Sequence, residues 1–111
     1  MQISTEELPG SITFVGLDGR MDIAGAAAVD LQMNLIAGSA GKLLIDLRKV
    51  EFLGSMGLRS IVIPARAVHS RGGKVVLLGP NAMVNSVLKT SGIDSLLPIH
   101  HELDAALAAL R

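Results

Sequence analysis

Two runs of consecutive apolar residues, "KLLIDL" at 42–47 and "KVVLLG" at 74–79, most constrain how this chain can fold. Such runs are typical of strands that are covered on both faces of a sheet. Between them, apolar residues recur with helical spacing at Leu58, Ile61, Val62, Ala65 and Val68. Buried strands joined by helices favour a mostly parallel sheet with helices packed on it.

The segments before the first run continue this alternation of strands and helices. Residues 11–17 have the β-rich composition of a strand. Residues 16–22 are predicted to form a turn, because Gly19 permits a positive φ. Asp22 is the predicted N-cap of an Ala-rich helix that stops at Gly38. The strand residues predicted to face inward are Ile12, Phe14 and Leu17.

The C-terminal part predicts two more helices with a short strand between them. Pro80 or Asn81 would begin the first helix, Gly92 would follow its end, and the second would cover 101–111. With a short first strand at 2–5, the element order is β-β-α-β-α-β-α-β-α. We therefore predict one α/β domain over 1–111, with a mixed, mostly parallel sheet of four to five strands covered by about four helices.

Pro64 interrupts the central helical pattern. Proline inside a helix removes one backbone hydrogen bond and crowds the carbonyl four residues earlier, here that of Ser60, at a cost of ~3 kcal/mol. A kink near 60–64 that splits the helix into two pieces is therefore predicted. The alternative is a helix that begins only near Pro64, which the unbroken apolar spacing from Leu58 disfavours.

Composition excludes several classes of function. Ten basic and ten acidic residues balance each other, and two Phe are the only aromatic residues, so the chain lacks both the charge and the stacking platforms for nucleic acid. Cysteine is absent, which removes disulfides and thiolate chemistry. No apolar run reaches the ~18 residues of a membrane span, and the N-terminus lacks the features of a signal peptide. A cytoplasmic location is the expectation.

Ser55 lies where a loop becomes a helix, in "FLGSMGLRS". A serine there is most simply an N-cap. A hydrolase nucleophile would need Gly-x-Ser-x-Gly, and Leu53 breaks that pattern. His69 lies about 14 residues further along the same helix, ~20 Å away, and cannot serve as its base. No Gly-Lys-Ser/Thr phosphate loop is present. A phosphate on Ser55 would nevertheless lie in the favourable field of a helix N-terminus.

Other polar residues carry weaker signals. The His100-His101-Glu102 cluster could hold a metal, but adjacent histidines point apart and no second cluster completes the ligand set, so no metal site is predicted. Asp46 could be a functional carboxylate at a strand end or a turn former, and both readings stay open. A modest basic rim near Ser55 would comprise Arg48, Lys49, Arg59 and Arg66.

The segment "LLIDLRKVEFLGSMGLRSIV" resembles the signature of the STAS domain, and specifically of the single-domain bacterial anti-sigma factor antagonists. In that family a strand ending in Asp-Leu leads through Val-x-Phe to Asp-Ser-Ser/Thr-Gly-Leu at a helix start. "GRMDIAGA" is similar to the family's Gly-x-Leu-Asp turn, and the C-terminal half shares its Gly-Ile-Asp and terminal Ala-Leu helix. The resemblance covers nearly the whole chain.

The resemblance implies regulation without catalysis and without a cofactor. Family members bind an anti-sigma factor, often a serine kinase, and so release a sigma factor. The kinase phosphorylates a hydroxyl in the Asp-Ser-Ser/Thr-Gly segment, which abolishes binding, and a serine phosphatase restores it. Here Gly54 replaces the acidic residue and Met56 replaces the second hydroxyl, so Ser55 alone remains. The chain is expected to be a monomer or a weak homodimer that contacts neither nucleic acid nor membrane.

We therefore predict that Ser55 is both a helix cap and the phosphoacceptor at the centre of a docking surface. The partner-binding residues predicted around it are Asp22, Gly54, Met56, Gly57 and Arg59. The two glycines would keep the surface low, and Met56 would supply an adaptable apolar contact. The alternatives are a docking or scaffold subunit that is not phosphorylated, and a small nucleotide-binding domain.

Overall fold

A computed structural model describes all 111 residues of the protein and places five strands in one sheet. The strands lie in chain order, with the first antiparallel to the second and all other neighbours parallel. They are β1 (Gln2–Leu8), β2 (Ile12–Met21), β3 (Lys42–Leu53), β4 (Lys74–Leu78) and β5 (Ile99–His100). The helices are α1 (Ile23–Ala37), α2 (Ser55–Ser70), α3 (Ala82–Thr90) and α4 (Leu103–Leu110), with a 3-10 turn at Ile93–Ser95. This confirms the predicted fold class.

The helices cover the two faces of the sheet unequally. Helices α1, α2 and α3 share one face and bury a cluster of 21 apolar residues against it. Helix α4 alone packs on the opposite face, where the buried cluster has six residues. None of the helices is long and apolar enough to span a membrane. The starts of α1 and α2 therefore lie side by side, at the carboxyl ends of the neighbouring strands β2 and β3.

Strand β2 is longer than the sequence predicted. The turn predicted for 16–22 is wrong, because β2 continues to Met21, where it pairs with Leu53 of an equally extended β3. The register shifts twice along this stretch, and Gly19 takes the positive φ of 124° that was expected of it. Pairing with a strand 30 residues away thus outweighs local turn chemistry.

The inward residues of β2 divide between the two faces of the sheet. Ile12 is buried and Phe14 half-buried in the α4 layer, whereas Leu17 is buried in the larger core together with Val15. The prediction of inward residues therefore holds for Ile12 and Leu17. It did not include Val15.

Helix α2 is a single continuous helix through Pro64, so the predicted split into two pieces is wrong. The helix also begins nine residues before the proline, at Ser55. Pro64 is itself buried, between helix residues Ile61 and Val68 that are fully buried. Tertiary packing on both sides therefore keeps the helix in one piece despite the missing hydrogen bond.

Candidate functional site

Ser55 is the first residue of α2 and is exposed, but it is not the cap of that helix. Strand β3 ends at Leu53, and the N-cap is Gly54, in extended conformation with φ −94° and ψ −179°. Glycine has no side chain to accept a hydrogen bond, and the helix start has no side-chain cap. The predicted capping role of Ser55 is therefore wrong, because the helix begins at Ser55 itself, one residue earlier than that role requires.

A one-residue connection explains why the helix start lies so close to the sheet. The amide of Gly54 donates to the carbonyl of Met21 at 3.0 Å, and the amide of Leu58 donates to the carbonyl of Gly54 at 2.9 Å. Gly54 thus joins the end of β2 to the first turn of α2. A loop of one residue has no length to wrap a phosphate chain, which argues against a nucleotide-binding loop here.

Gly57 serves packing and does not lower an exposed surface. It is buried, and a Cβ at this position would lie 2.3 Å from the carbonyl oxygen and 2.5 Å from the Cβ of Met21. Only glycine lets α2 approach the end of β2 so closely. The prediction that Gly57 keeps the docking surface low is therefore corrected: the residue is buried and fixes the distance between α2 and β2.

Asp22 lies beside this helix start, since it follows Met21 directly. Its Oδ1 accepts a hydrogen bond from the amide of Gly25 at 2.8 Å, which confirms Asp22 as the N-cap of α1. Its Oδ2 lies 3.8 Å from Nε of Arg20. The Arg20 guanidinium in turn stacks 4.6 Å from the centroid of the Phe52 ring. The structure therefore places Asp22 at the predicted surface, with one carboxylate oxygen already committed.

Met56 and Arg59 are exposed on the side of α2 that faces α1. Met56 is 42% exposed. Together with Ile63, these two residues line a cleft of about 360 Å³ between the two helices, whose other wall includes Asp30 and Asn34. A second depression of about 420 Å³ lies between α2 and α3, and Ser55 is one of the residues that line it. Ser55 therefore lines one concave region, and its neighbours Met56 and Arg59 line the other.

Ser60 and Asp30 form a link between α1 and α2 that sequence reasoning missed. The Ser60 hydroxyl donates to Oδ1 of Asp30 and lies 3.1 Å from the carbonyl oxygen of Met56. Ser60 is the one buried polar residue of the chain, at 4% exposure. This link holds the second turn of α2 against α1. The available signal was a serine at an inward position of an otherwise apolar helix face.

Asp46 and Arg48 form an ion pair on β3, and Asp46 lies inside that strand, so neither the predicted strand end nor the predicted turn is found at this position. Arg48 donates from Nε to Oδ1 and from its terminal nitrogen to Oδ2 of Asp46, each at 2.9 Å, and the side chain of Asp46 is only 14% exposed. The hydrogen bond to Asp46 raises the pKa of Arg48 above its ordinary value. Asp46 is thus the ion-pair partner of Arg48, and the positive charge of Arg48, one member of the predicted basic rim, is balanced by that carboxylate.

His100 and His101 lie in different elements of the fold. His100 lies in β5, while His101 and Glu102 occupy the bend before α4. No three His, Asp or Glu side chains of the chain converge in a geometry that could hold a metal ion.

Comparison with known proteins shows which family has this arrangement. The profile of the STAS domain matches residues 2–106. The chain belongs to the STAS domain family. This confirms the family predicted from "LLIDLRKVEFLGSMGLRSIV" and the motifs that flank it.

Relatives within the STAS family resemble the chain over nearly its full length. An anti-sigma F factor antagonist of Paenibacillus polymyxa is 26% identical over 112 residues, covering 99% of this chain and 95% of that protein. The crystal structure of an anti-sigma factor antagonist from Mycobacterium paratuberculosis is 28% identical, with a TM-score of 0.84 and coverage of 99% and 95%. A Thermotoga maritima structure shares the fold at 21% identity, with a TM-score of 0.90 and coverage of 98% and 94%. These names describe regulators, in agreement with the prediction that the chain is not an enzyme.

Proposed function

We propose that the chain is an anti-sigma factor antagonist whose docking surface centres on Ser55. Its partner is an anti-sigma factor that is also a serine kinase, and phosphorylation of Ser55 releases the complex. The observation that carries the proposal is the exposed hydroxyl of Ser55 in the first turn of α2, on the rim of one concave region and next to residues that line another. Asp22, Gly54, Met56 and Arg59 surround it, and buried Gly57 holds the helix start in place.

The physical basis of the switch is the different cost of one charge in two environments. A phosphate adds about −1.5 to −2 charges, and at the exposed N-terminus of a helix this charge is favoured by the backbone dipole. Inside an interface the same charge must lose its water, at a cost of several kcal/mol unless the partner supplies a counter-charge. Phosphorylation therefore leaves the fold intact and opposes binding. A serine phosphatase would reverse it.

Met56 supports a second candidate within the same class. In the family pattern the position before the glycine carries a hydroxyl, and here it carries a 42% exposed methionine. Gly54 also lacks the carboxylate of the pattern. A chain with one hydroxyl left could dock constitutively, as a scaffold subunit that no kinase modifies. Mass spectrometry of Ser55 in the protein isolated from its own cells separates the two candidates.

The decisive experiment replaces Ser55 and measures partner affinity and stability separately. The anti-sigma factor recovered with the tagged chain is titrated calorimetrically with wild type, Ser55→Glu and Ser55→Ala. Ser55→Glu should weaken binding at least ~100-fold, or ~2.7 kcal/mol. Its melting temperature should stay within about 2 °C of wild type. Ser55→Ala should keep both affinity and stability, because Ser55 caps nothing.

Ser39→Glu is the matched control, because Ser39 is also an exposed serine and lies in the turn after α1. It adds the same charge far from the predicted docking residues and should bind like wild type. Equal affinity of Ser55→Glu and wild type would place the docking surface elsewhere. Equal weakening by both Glu variants would show a general charge effect and would also contradict the proposal.

A further inference from the structure

Arg59 is an exposed cation on α2 that takes part in no ion pair. The two ion pairs of the protein lie elsewhere, between Arg20 and Asp22 and between Arg48 and Asp46. The first turn of α2, directly before Arg59, contains no acidic residue. The guanidinium of Arg59 is therefore free to pair with an anion that the unmodified chain does not supply.

Asp30 is the one carboxylate that shares the cleft between α1 and α2 with Arg59. Its Oδ1 already accepts the hydrogen bond of the Ser60 hydroxyl, and it forms no ion pair with Arg59. Asp30 thus serves the contact between the two helices. It leaves the charge of Arg59 unmatched at the surface.

Ser55 and Arg59 are both exposed and lie four residues apart in α2. Side chains with this spacing share one face of a helix, with their Cβ atoms about 5–6 Å apart. Helical side chains lean toward the N-terminus, so Arg59 leans toward the turn that carries Ser55. An anion placed four residues before a cation is also the more favourable order of such a pair. A phosphate on Ser55 would therefore lie within reach of this guanidinium.

We propose that Arg59 binds the phosphate of phosphorylated Ser55 within the same helix, through two parallel hydrogen bonds of the kind that guanidinium and phosphate groups form. This contact rests on the proposed function, because it requires that Ser55 be phosphorylated. The phosphate carries about −1.5 to −2 charges, so pairing with Arg59 leaves a net charge of roughly −0.5 to −1. Modification thus withdraws the exposed cation from the predicted docking surface and leaves negative charge in its place.

The other charged groups around Ser55 are less suited to this role. Arg20 stacks on the Phe52 ring, 4.6 Å from its centroid, and its Nε lies 3.8 Å from Oδ2 of Asp22. A phosphate would have to compete with that carboxylate for Arg20. The wall that α3 contributes to the depression beside Ser55 contains no charged residue. Arg66 is exposed but lies three turns further along α2, roughly 16 Å from Ser55 along the axis.

Phosphoserine incorporated at position 55 during translation tests the contact without any kinase. The phosphate is titrated by 31P NMR in the wild-type background and in Arg59→Gln. A neighbouring guanidinium favours the dianion, so the titration midpoint should lie roughly 0.5 pH unit lower with Arg59 than with Gln. The difference should shrink in about 1 M salt. Arg59→Lys should restore only part of it, because lysine lacks the planar fork. Arg66→Gln is the matched control and should titrate like wild type.

Thermal melting gives a second measure of the same contact. The phosphate should raise the melting temperature by roughly 1–4 °C more in the wild-type background than in Arg59→Gln. Equal titration midpoints in these two proteins would overturn the proposal, and so would a midpoint that rises in Arg20→Gln and stays unchanged in Arg59→Gln. Neither measurement uses the anti-sigma factor. Failure here therefore leaves the binding test of Ser55→Glu intact, and failure of that test leaves the phosphate titration interpretable.

Discussion

Helices α1 and α2 start at equivalent places and are built in opposite ways. Met21 pairs with Leu53 at the ends of β2 and β3, so the N-caps Asp22 and Gly54 are neighbours. Asp22 closes the first turn of α1 with its own carboxylate, whereas Gly54 has no side chain to cap the first turn of α2. The first helix start is built for stability. The second gives up a cap and leaves Ser55 exposed beside it.

The two starts also share one device. Each helix carries a buried glycine three residues after its N-cap, Gly25 in α1 and Gly57 in α2. A Cβ on Gly25 would lie 1.9 Å from the carbonyl oxygen of Arg20, and one on Gly57 would lie 2.3 Å from that of Met21. Both helices therefore abut the backbone at the end of β2. The difference between the two starts lies in capping, and the close approach is common to both.

Gly57→Ala should have the largest effect on this shared geometry. The added Cβ meets backbone that cannot move without disturbing β2, so we expect a loss of ~2–3 kcal/mol in unfolding free energy. That loss corresponds to roughly 10–20 °C in melting temperature. Gly25→Ala should lose as much. Gly41→Ala is the control, since a Cβ there has no atom within 4 Å. If Gly57→Ala lowers the melting temperature no more than Gly41→Ala does, the start of α2 can shift away from β2 to make room for the added Cβ.

Asp22→Ala and Ser55→Ala test the capping difference directly. Removal of the Asp22 carboxylate leaves the amide of Gly25 without its acceptor and should cost about 1 kcal/mol. Ser55→Ala should change the unfolding free energy by less than about 0.5 kcal/mol, since an exposed residue that caps nothing has little to lose. Urea denaturation of both variants measures the contrast. A larger loss for Ser55→Ala than for Asp22→Ala would mean that Ser55 caps α2 in solution.

Pro64→Ala tests a second difference between the helices, the backbone hydrogen bond that α2 lacks because of its interior proline. Alanine restores the amide that can donate to the Ser60 carbonyl, and relief of an interior proline is worth up to ~3 kcal/mol. Two buried methylenes are lost, at ~0.8 kcal/mol each. The net gain of about 1 kcal/mol should raise the melting temperature by roughly 4–8 °C. Scanning calorimetry measures it, and a neutral or destabilised variant would show that packing of the proline ring outweighs the missing hydrogen bond.

The same two helix starts show how far sequence reasoning reaches. Asp22 as a cap and the alternation of strands and helices follow from local residue chemistry, and both are confirmed. Ser55 as a cap was wrong by one residue, because glycine and serine are both acceptable N-caps and the backbone alone decides between them. The length of β2 and the bond from Ser60 to Asp30 depend on residues 30 positions apart. No local pattern encodes such pairings.

The smallest expected effect belongs to Gly54→Asp, which would make the start of α2 resemble that of α1. Its carboxylate could accept a hydrogen bond from the amide of Met56 or Gly57 and gain a few tenths of a kcal/mol over glycine. The new Cβ would lie 3.2 Å from the edge of the Phe52 ring, so the half-buried ring must shift slightly. Gly54→Ala adds the same Cβ without an acceptor and should cost roughly 0.5 kcal/mol. The difference between the two variants in urea denaturation isolates the cap from the ring contact. If Gly54→Asp is no more stable than Gly54→Ala, the first turn of α2 cannot be capped from position 54, and the missing carboxylate has no structural consequence.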